Sequence, residues 1–371
     1  MEPVLTEEHE QLRAVVRKFC EERSPEKAVR EQMATARGYD PGVWRQMARE
    51  LGLLGLVIPE EHGGAGFGPV ELAIALEEMG RVLLCAPYFA TVALATHALL
   101  ESGDLEVQAE LLPGIAAGES VATLAWSEGE GRSDLAGVRT GAARDGGGWR
   151  VDGAKTPVID GGVADWILVA ARAEAGLCLF QVDGDAPGLR REALPPLDLT
   201  RKLARLELDG APGRLVGALG RAGPALERAL DRAAAALAAE QVGGAQRCLE
   251  LAVAYARERV QFGRPIGSLQ AIKHKCANLL MEVEAARSAA YHAAFCAASG
   301  GEALRAAASM AKAWCSDAYF HAASENIQIH GGIGFTWEHP AHLYLKRAKS
   351  SSLLLGDPVF HRDRLACELG L

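Results

Sequence analysis

The chain has 371 residues and a formal net charge of −9, from 39 lysines and arginines against 48 aspartates and glutamates. This length is enough for a large buried core and for more than one domain. The acidic balance argues against nucleic acid or an anionic membrane as a partner, because both repel an acidic surface. It does not exclude a small anionic ligand, which a local cluster of arginines can bind.

The sequence also bears on compartment and on metal chemistry. No run of apolar residues approaches the roughly 18 needed to span a bilayer. The N-terminal residues lack the apolar core of a signal peptide, so we expect a cytoplasmic protein. The eight cysteines are scattered without a Cys-x-x-Cys pair, which favours small buried hydrophobic roles over metal or disulfide roles.

Residues 1–120 have a helical pattern and are predicted to form an N-terminal α-helical domain. Thr6 is the predicted N-cap of the first helix, because acidic residues follow it. The predicted apolar stripe of that helix consists of Leu12, Val15, Val16 and Phe19.

Residues 121–222 change character and are predicted to form a small middle β-domain. Turn residues cluster at 141–148 and 184–188. Short runs rich in strand-forming residues stand at 166–170, 177–182 and 206–208.

Residues 223–371 are helical again and very rich in alanine. Pro224 suits a first helical turn, and the run from there to Arg259 predicts one helix of about 35 residues, roughly 50 Å long. Because a long alanine-rich helix is poorly solvated alone, we expect a helical bundle that also forms an oligomer interface.

Two short segments of this C-terminal region stand out. The arginine block consists of Arg259-Val260-Gln261-Phe262-Gly263-Arg264-Pro265-Ile266, with Gln270 four residues on. The glycine block consists of Gln328-Ile329-His330-Gly331-Gly332-Ile333-Gly334-Phe335. An arginine fork suits a pyrophosphate, a phenylalanine ring can lie flat on an adenine or ribose, and glycines let a phosphate approach the backbone.

Three further segments complete a pattern that covers the whole chain. They are Leu51–Gly64 ahead of Glu77-Glu78-Met79-Gly80, the segment Ser127–Asp134, and the segment Gly153–Gly161. With the two blocks, they resemble the acyl-CoA dehydrogenase family in order and spacing. The resemblance implies a multi-domain α+β fold, with an N-terminal helical domain, a middle β-domain and a C-terminal four-helix bundle.

The resemblance also implies FAD as cofactor. In the family one FAD takes the arginine block from one subunit and the glycine block from its neighbour. The implied contacts are Arg259, Gln261, Phe262, Gln270, Gln328, Gly331 and Gly332, with Ser127, Ser133 and Ile159 from the middle domain.

The middle-domain contacts depart from the family pattern in part. Ser127 replaces a threonine and keeps the hydroxyl, and Ser133 matches outright. Pro157 and Ile159 stand where the family usually has tryptophan and threonine. Because Ile159 can still offer its backbone N–H, we expect flavin to bind with altered surroundings at N5.

The catalytic glutamate of the family is missing from both of its usual positions. Counted from Arg347-Ala348-Lys349, the position in the Tyr-Glu-Gly-Thr segment is Leu355. The other position, on the long helix 26 residues before Arg259, is Ala233.

Nearby groups offer a replacement base. Glu240 lies seven residues beyond Ala233 on the same helical face, about 10.5 Å along. Its apolar surroundings would favour a base, but a buried ion pair with Arg247 or an arginine of another helix explains it as well. Asp357 favours a turn-capping role over a base, and His330 a structural or flavin-contacting one.

Three functions therefore stay open. The first is FAD-dependent α,β-dehydrogenation of an acyl-CoA thioester, with Glu240 as a displaced base and an electron-transfer flavoprotein or similar acceptor. The second is a non-catalytic or FAD-holding subunit of a mixed heterotetramer, and the third a flavin oxidase or monooxygenase. A homotetramer is expected for the first, and the acyl group is not determined by the sequence.

Overall fold

The structure is a computed structural model, and it describes residues 5–129 and 134–371. The chain divides by its contacts into two compact units. The bundle unit comprises 5–30, 69–84 and 234–371, and the barrel unit comprises 31–68 and 85–233. Because these units interleave along the chain, the domain boundaries at 120 and 222 stay a prediction.

The order of elements is helices, then strands, then helices, which is the predicted fold class. The α-helices of the described residues are Glu7–Arg23 (α1), Glu26–Ala34 (α2), Pro41–Arg49 (α3), Pro69–Arg81 (α4), His97–Glu101 (α5), Leu105–Ala116 (α6), Ala222–Glu258 (α7), Gln270–Ser299 (α8), Ala303–His330 (α9), Ala341–Leu353 (α10) and Pro358–Glu368 (α11). The strands are Ala122–Ala125 (β1), Gly141–Asp145 (β2), Gly148–Ile159 (β3), Trp166–Ala173 (β4), Gly176–Asp183 (β5), Leu189–Ala193 (β6), Leu203–Val216 (β7), Val260–Gln261 (β8) and Arg264–Pro265 (β9).

The first helix begins where the sequence predicts. Thr6 is its N-cap and accepts a hydrogen bond from the backbone N–H of His9. The predicted apolar stripe is wrong at Val15, whose side chain is 49% exposed. Since the buried face is centred on Val16 and Phe19, Val15 lies one residue to the side of it.

The bundle unit is built around alanine. The long predicted helix is present as α7, with 37 residues. The apolar core of the bundle unit contains many alanines from α7, α8 and α9. These small side chains let the helix axes approach closely. At the crossing of α4 and α7 only glycine fits, because a Cβ on Gly243 would lie 1.8 Å from the carbonyl oxygen of Glu77.

The strands of the barrel unit close on themselves. Pairings join β4 to β2, β2 to β3, β3 to β7, β7 to β5 and β5 back to β4, while β1 and β6 pair at the outside. The three predicted strand runs are confirmed as parts of β4, β5 and β7. Alternate residues such as Val151, Phe180 and Leu206 fill the interior.

The length and polarity of the helices also bear on membranes. No α-helix of residues 5–129 and 134–371 combines the length and the apolar character needed to cross a bilayer.

Candidate functional site

The arginine block forms a hairpin directly after the end of α7. Strands β8 and β9 pair antiparallel, and Phe262 and Gly263 make the two-residue turn with φ values of 53° and 74°. Two left-handed residues are what a type I′ turn requires, but a phenylalanine adopts that conformation at an energetic cost. The ring of Phe262 is 88% exposed at the tip of the hairpin. The turn therefore presents an aromatic face outward.

The polar side chains of this block are available to a ligand. Arg259, Gln261 and Gln270 are exposed. Among the described residues, none makes a hydrogen bond or ion pair with these three side chains. A guanidinium and two amides without protein partners fit the pyrophosphate and polar edges of a dinucleotide such as FAD.

The glycine block begins at the C-terminus of α9. Gly331 has φ 65° and ψ −140°, a conformation that glycine adopts without a Cβ penalty. A Cβ added at Gly331 or Gly332 would meet no heavy atom within 4 Å. Gln328, one turn earlier, is also exposed. The space beside both glycines is open, as an approaching phosphate would need.

Within one chain, a residue of α7 just before the arginine block contacts the glycine block. The ring of Tyr255, four residues before Arg259, stacks on His330 with centroids 4.3 Å apart. His330 is buried, and its Nδ1 donates to the carbonyl oxygen of Asn326 at 2.8 Å. His330 thus has a structural role in joining the blocks. The use of one block from each of two subunits by a single FAD stays a prediction.

The predicted contact Ser127 lies in the barrel unit, beside a small cavity of about 60 Å³. Its carbonyl oxygen accepts a hydrogen bond of 2.8 Å from the N–H of Thr156. The side chain is half-buried at the cavity wall. The predicted contact Ser133 lies outside the described residues.

Sequence reasoning missed the residue that holds this segment, which is Glu128. Its carboxylate binds the ammonium of Lys155 at 2.7 Å and accepts from the N–H and hydroxyl of Thr140. Burial alone would raise the pKa of Glu128, but these partners lower it to about 2. The available signal was a glutamate in one family segment and a lysine in the next.

Ile159 ends β3 in the same unit. Its side chain is buried, and its carbonyl oxygen accepts a hydrogen bond of 2.7 Å from the hydroxyl of Thr123. The next residue, Asp160, has φ 52° and donates its N–H to the carbonyl of Lys202. The strand end is therefore fixed, and the contact of Ile159 with flavin stays a prediction.

Neither usual base position carries a proton acceptor. Ala233 is fully buried on α7. Leu355 lies in the turn between α10 and α11 with φ 62°, and its side chain packs against the apolar core of the bundle. Its carbonyl oxygen is hydrogen-bonded to Nε2 of His361 at 3.0 Å.

Glu240 is buried on α7 and paired. Its Oε1 lies 2.9 Å from Nη1 of Arg347 on α10, and neither side chain is more than 6% exposed. Arg247 is not its partner and instead lies 3.5 Å from Glu250. The observed partner is thus an arginine of another helix, Arg347, which was one of the two alternatives for a structural ion pair. The role of Glu240 as base stays a prediction.

Asp357 has the capping role that its sequence context favours. It is the N-cap of α11, and its carboxylate accepts from the N–H of Phe360 at 2.8 Å.

Comparisons with known proteins cover the whole chain. The sequence profiles of the acyl-CoA dehydrogenase N-terminal, middle and C-terminal domains match residues 6–119, 123–209 and 223–369. The chain is 38% identical to acyl-CoA dehydrogenase IpdE2 of Mycolicibacterium smegmatis, over 98% of the chain and 100% of that protein.

Two solved structures are similar throughout. One is a variant of the Tcur3481-Tcur3483 steroid ACAD, with 36% identity, 98% of each chain covered and a TM-score of 0.89. The other is the ChsE4-ChsE5 complex from Mycobacterium tuberculosis, with 30% identity, coverage of 100% of this chain and 99% of that chain, and a TM-score of 0.90. The chain belongs to the acyl-CoA dehydrogenase family.

Proposed function

We propose that this chain takes part in the FAD-dependent α,β-dehydrogenation of an acyl-CoA thioester as the FAD-holding subunit of a two-chain enzyme. The proposal is based on the residues found at the possible positions of the catalytic base. Ala233 and Leu355 occupy the usual positions, and the replacement candidate, Glu240, is held in a buried ion pair with Arg347.

The reaction requires a group that removes the proton from the carbon α to the thioester. Bound FAD supplies the acceptor for the hydride from the β-carbon. A carboxylate in contact with an arginine is stabilised in its charged form, which makes it a weaker base. Taking up a proton at Glu240 would also remove the negative charge that lies 2.9 Å from the buried guanidinium of Arg347. The base is therefore assigned to a second chain.

The chain's own contribution is to hold the cofactor. With FAD bound, the guanidinium of Arg259 would hold the pyrophosphate, the ring of Phe262 would lie on the adenosine half, and the open backbone at Gly331 and Gly332 would admit the phosphates. Their exposure and lack of described partners support these roles.

The similar structures support two finer proposals. Both are named by a pair of chains, which fits an assembly of two related subunits. One is named a steroid enzyme, and we take a bulky, steroid-derived acyl group as the substrate class. Electrons pass to an electron-transfer flavoprotein, as the family resemblance implies.

A self-sufficient dehydrogenase with Glu240 as base is the second candidate. Its support is that Glu240 is buried and lies on the same face of α7 as Ala233.

The test compares this chain alone with the chain co-expressed with a family member that carries the Tyr-Glu-Gly-Thr segment. A steroid-derived acyl-CoA and octanoyl-CoA are added, and loss of the oxidised flavin absorbance is followed. We expect bleaching by the steroid thioester only in the mixed assembly, and none when the partner's glutamate is changed to glutamine. Equal turnover by this chain alone would reject the two-chain proposal.

A further inference from the structure

A lysine is buried in the helix bundle, with a hydroxyl and two carbonyl groups as hydrogen-bond partners. Lys312 on α9 has no exposed surface. Its Nζ lies 3.0 Å from Oγ of Ser316, 3.2 Å from the carbonyl oxygen of Ser352 and 3.0 Å from that of Gly356. Within the described residues, no acidic side chain bonds to this ammonium. The nitrogen thus faces only neutral groups, two carbonyl oxygens that accept a hydrogen bond and a hydroxyl that can accept or donate one.

Two of these acceptors belong to one turn at the protein surface. Ser352 is in the last turn of α10, and Gly356 is in the link to α11. Leu355, between them, has a left-handed φ of 62°, which a leucine adopts at an energetic cost. Residues 353–355 are exposed or half-buried, so this turn separates Lys312 from solvent.

A second buried polar group lies under the same turn. His361 on α11 donates from Nε2 to the carbonyl oxygen of Leu355. Its Nδ1 is buried, and no described residue hydrogen-bonds to it. Movement of the turn would expose both Lys312 and this nitrogen to water.

We propose that opening of the turn between α10 and α11 is coupled to proton uptake by Lys312. A buried ammonium that lacks a counter-charge is less stable than one in water, so the open turn binds the proton more tightly than the closed turn. The closed turn is therefore favoured by the neutral amine, and acidification favours the open turn. This inference concerns the chain itself and does not depend on the proposed function.

Burial outweighs the charges that surround Lys312. Burial lowers the pKa of Lys312 to about 7, and the carboxylates that oppose the shift are Asp357 at the start of α11 and Asp317 on α9. The nearby thiol of Cys315 is neutral over this range, because burial raises its pKa to about 12. The remaining contacts of the amine, a serine hydroxyl and two carbonyls, do not titrate. Burial, and then the charge of Lys312, lower the pKa of His361 to about 3, so His361 stays neutral near pH 7.

The ordinary pKa of a lysine is 10.5, and burial under the closed turn lowers the pKa of Lys312 to about 7. The stabilisation of the closed turn is fully present above pH 10.5 and is lost as the pH falls towards 7. Within that window the ratio of open to closed turns rises by up to about tenfold for each unit of pH lost.

Hydrogen exchange of the amides of residues 353–357 in the full chain tests the proposal, after correction for intrinsic exchange. We expect a larger opening constant at pH 7 than at pH 9, and loss of this difference in Lys312→Met. Lys349→Met, which removes an exposed lysine of α10, should keep it. An opening constant that is independent of pH, or that rises with pH, would overturn the proposal, as would the same dependence in Lys312→Met.

A second measurement covers the case in which Lys312→Met does not fold. NMR of the wild-type chain labelled at the lysine Cε carbons reports the titration of each amine. We expect the resonance assigned to Lys312 to titrate near pH 7 and that of Lys155, which is also buried, near pH 8. Titration of Lys312 near pH 10 would overturn the proposal.

Discussion

The carboxylate of Glu240 and the guanidinium of Arg347 join α7 to α10 at 2.9 Å in the interior of the bundle. These residues are 107 positions apart in the chain. Removing one member of such a buried pair lowers the free energy of unfolding, because water does not solvate the charge that remains.

Glu240→Gln should therefore lower the free energy of unfolding by about 3–5 kcal/mol, the usual effect of breaking a buried pair. Chemical denaturation measures this, and the double change Glu240→Gln with Arg347→Met should recover part of the loss. If Glu240 is instead a base, turnover of the chain alone should fall by roughly 10² to 10⁴ with stability and FAD content unchanged. The two outcomes separate the structural and catalytic roles.

Arg259→Ala should weaken FAD binding by roughly tenfold to a hundredfold, since charge-assisted hydrogen bonds contribute about 1.5–3 kcal/mol each. Arg257→Ala is the matched control, because Arg257 is also exposed but lies before the end of α7. The flavin content of the purified protein and a titration with FAD give the affinities. Equal loss in both variants would indicate a general electrostatic effect and contradict a specific role for Arg259.

Gly331→Ala should destabilise the chain by about 1–3 kcal/mol, because alanine is strained at φ 65° and ψ −140°. Gly332 does not have a positive φ, so Gly332→Ala should leave stability unchanged. Because a Cβ there enters open space, it should affect FAD affinity alone. Thermal melts and FAD titrations of both variants check this, and a destabilised Gly332→Ala would contradict it.

The pair of Glu128 and Lys155 should make the barrel unit sensitive to acid. The pKa of Glu128 is about 2, below its ordinary value of 4.5, so its stabilising effect is present above pH 4.5 and lost as the pH falls towards 2. Glu128→Gln should flatten the fall in melting temperature over that interval. An unchanged acid profile in the variant would show that other carboxylates dominate.

The oligomeric state of the protein should depend on how its FAD sites are built. If each FAD uses the arginine block of one subunit and the glycine block of another, a monomer cannot complete the FAD site, and we expect a tetramer built as a dimer of dimers. Light scattering on protein with and without FAD measures this. A stable monomer that retains FAD would remove the basis for shared sites.

Local patterns predicted much of the fold and part of the site. The Thr6 cap, helix α7 and the strand runs depend on neighbours in sequence, so they could be read directly. The predicted stripe failed at Val15 because the direction of the buried face is set by α4 and the rest of the bundle, and not by α1 itself.

Contacts between distant segments could not be predicted. The sequence favoured no one partner for Glu240, since an arginine on any helix could serve. The stacking of Tyr255 on His330 likewise depends on how α7 and α9 pack. Such pairs depend on tertiary packing. The two blocks could therefore be recognised from the sequence, whereas the contact between Tyr255 and His330 could not.

The hairpin turn at Phe262 and Gly263 is not the one that would best stabilise a free chain. Asparagine or aspartate before glycine would relieve the left-handed backbone, and neither has an aromatic face. The phenylalanine therefore makes the free hairpin less stable than asparagine or aspartate would. Its exposed ring can contribute binding energy only when another molecule or chain covers it. In isolation this tip is a weak point of the fold, and a bound nucleotide or a second subunit would turn it into a contact.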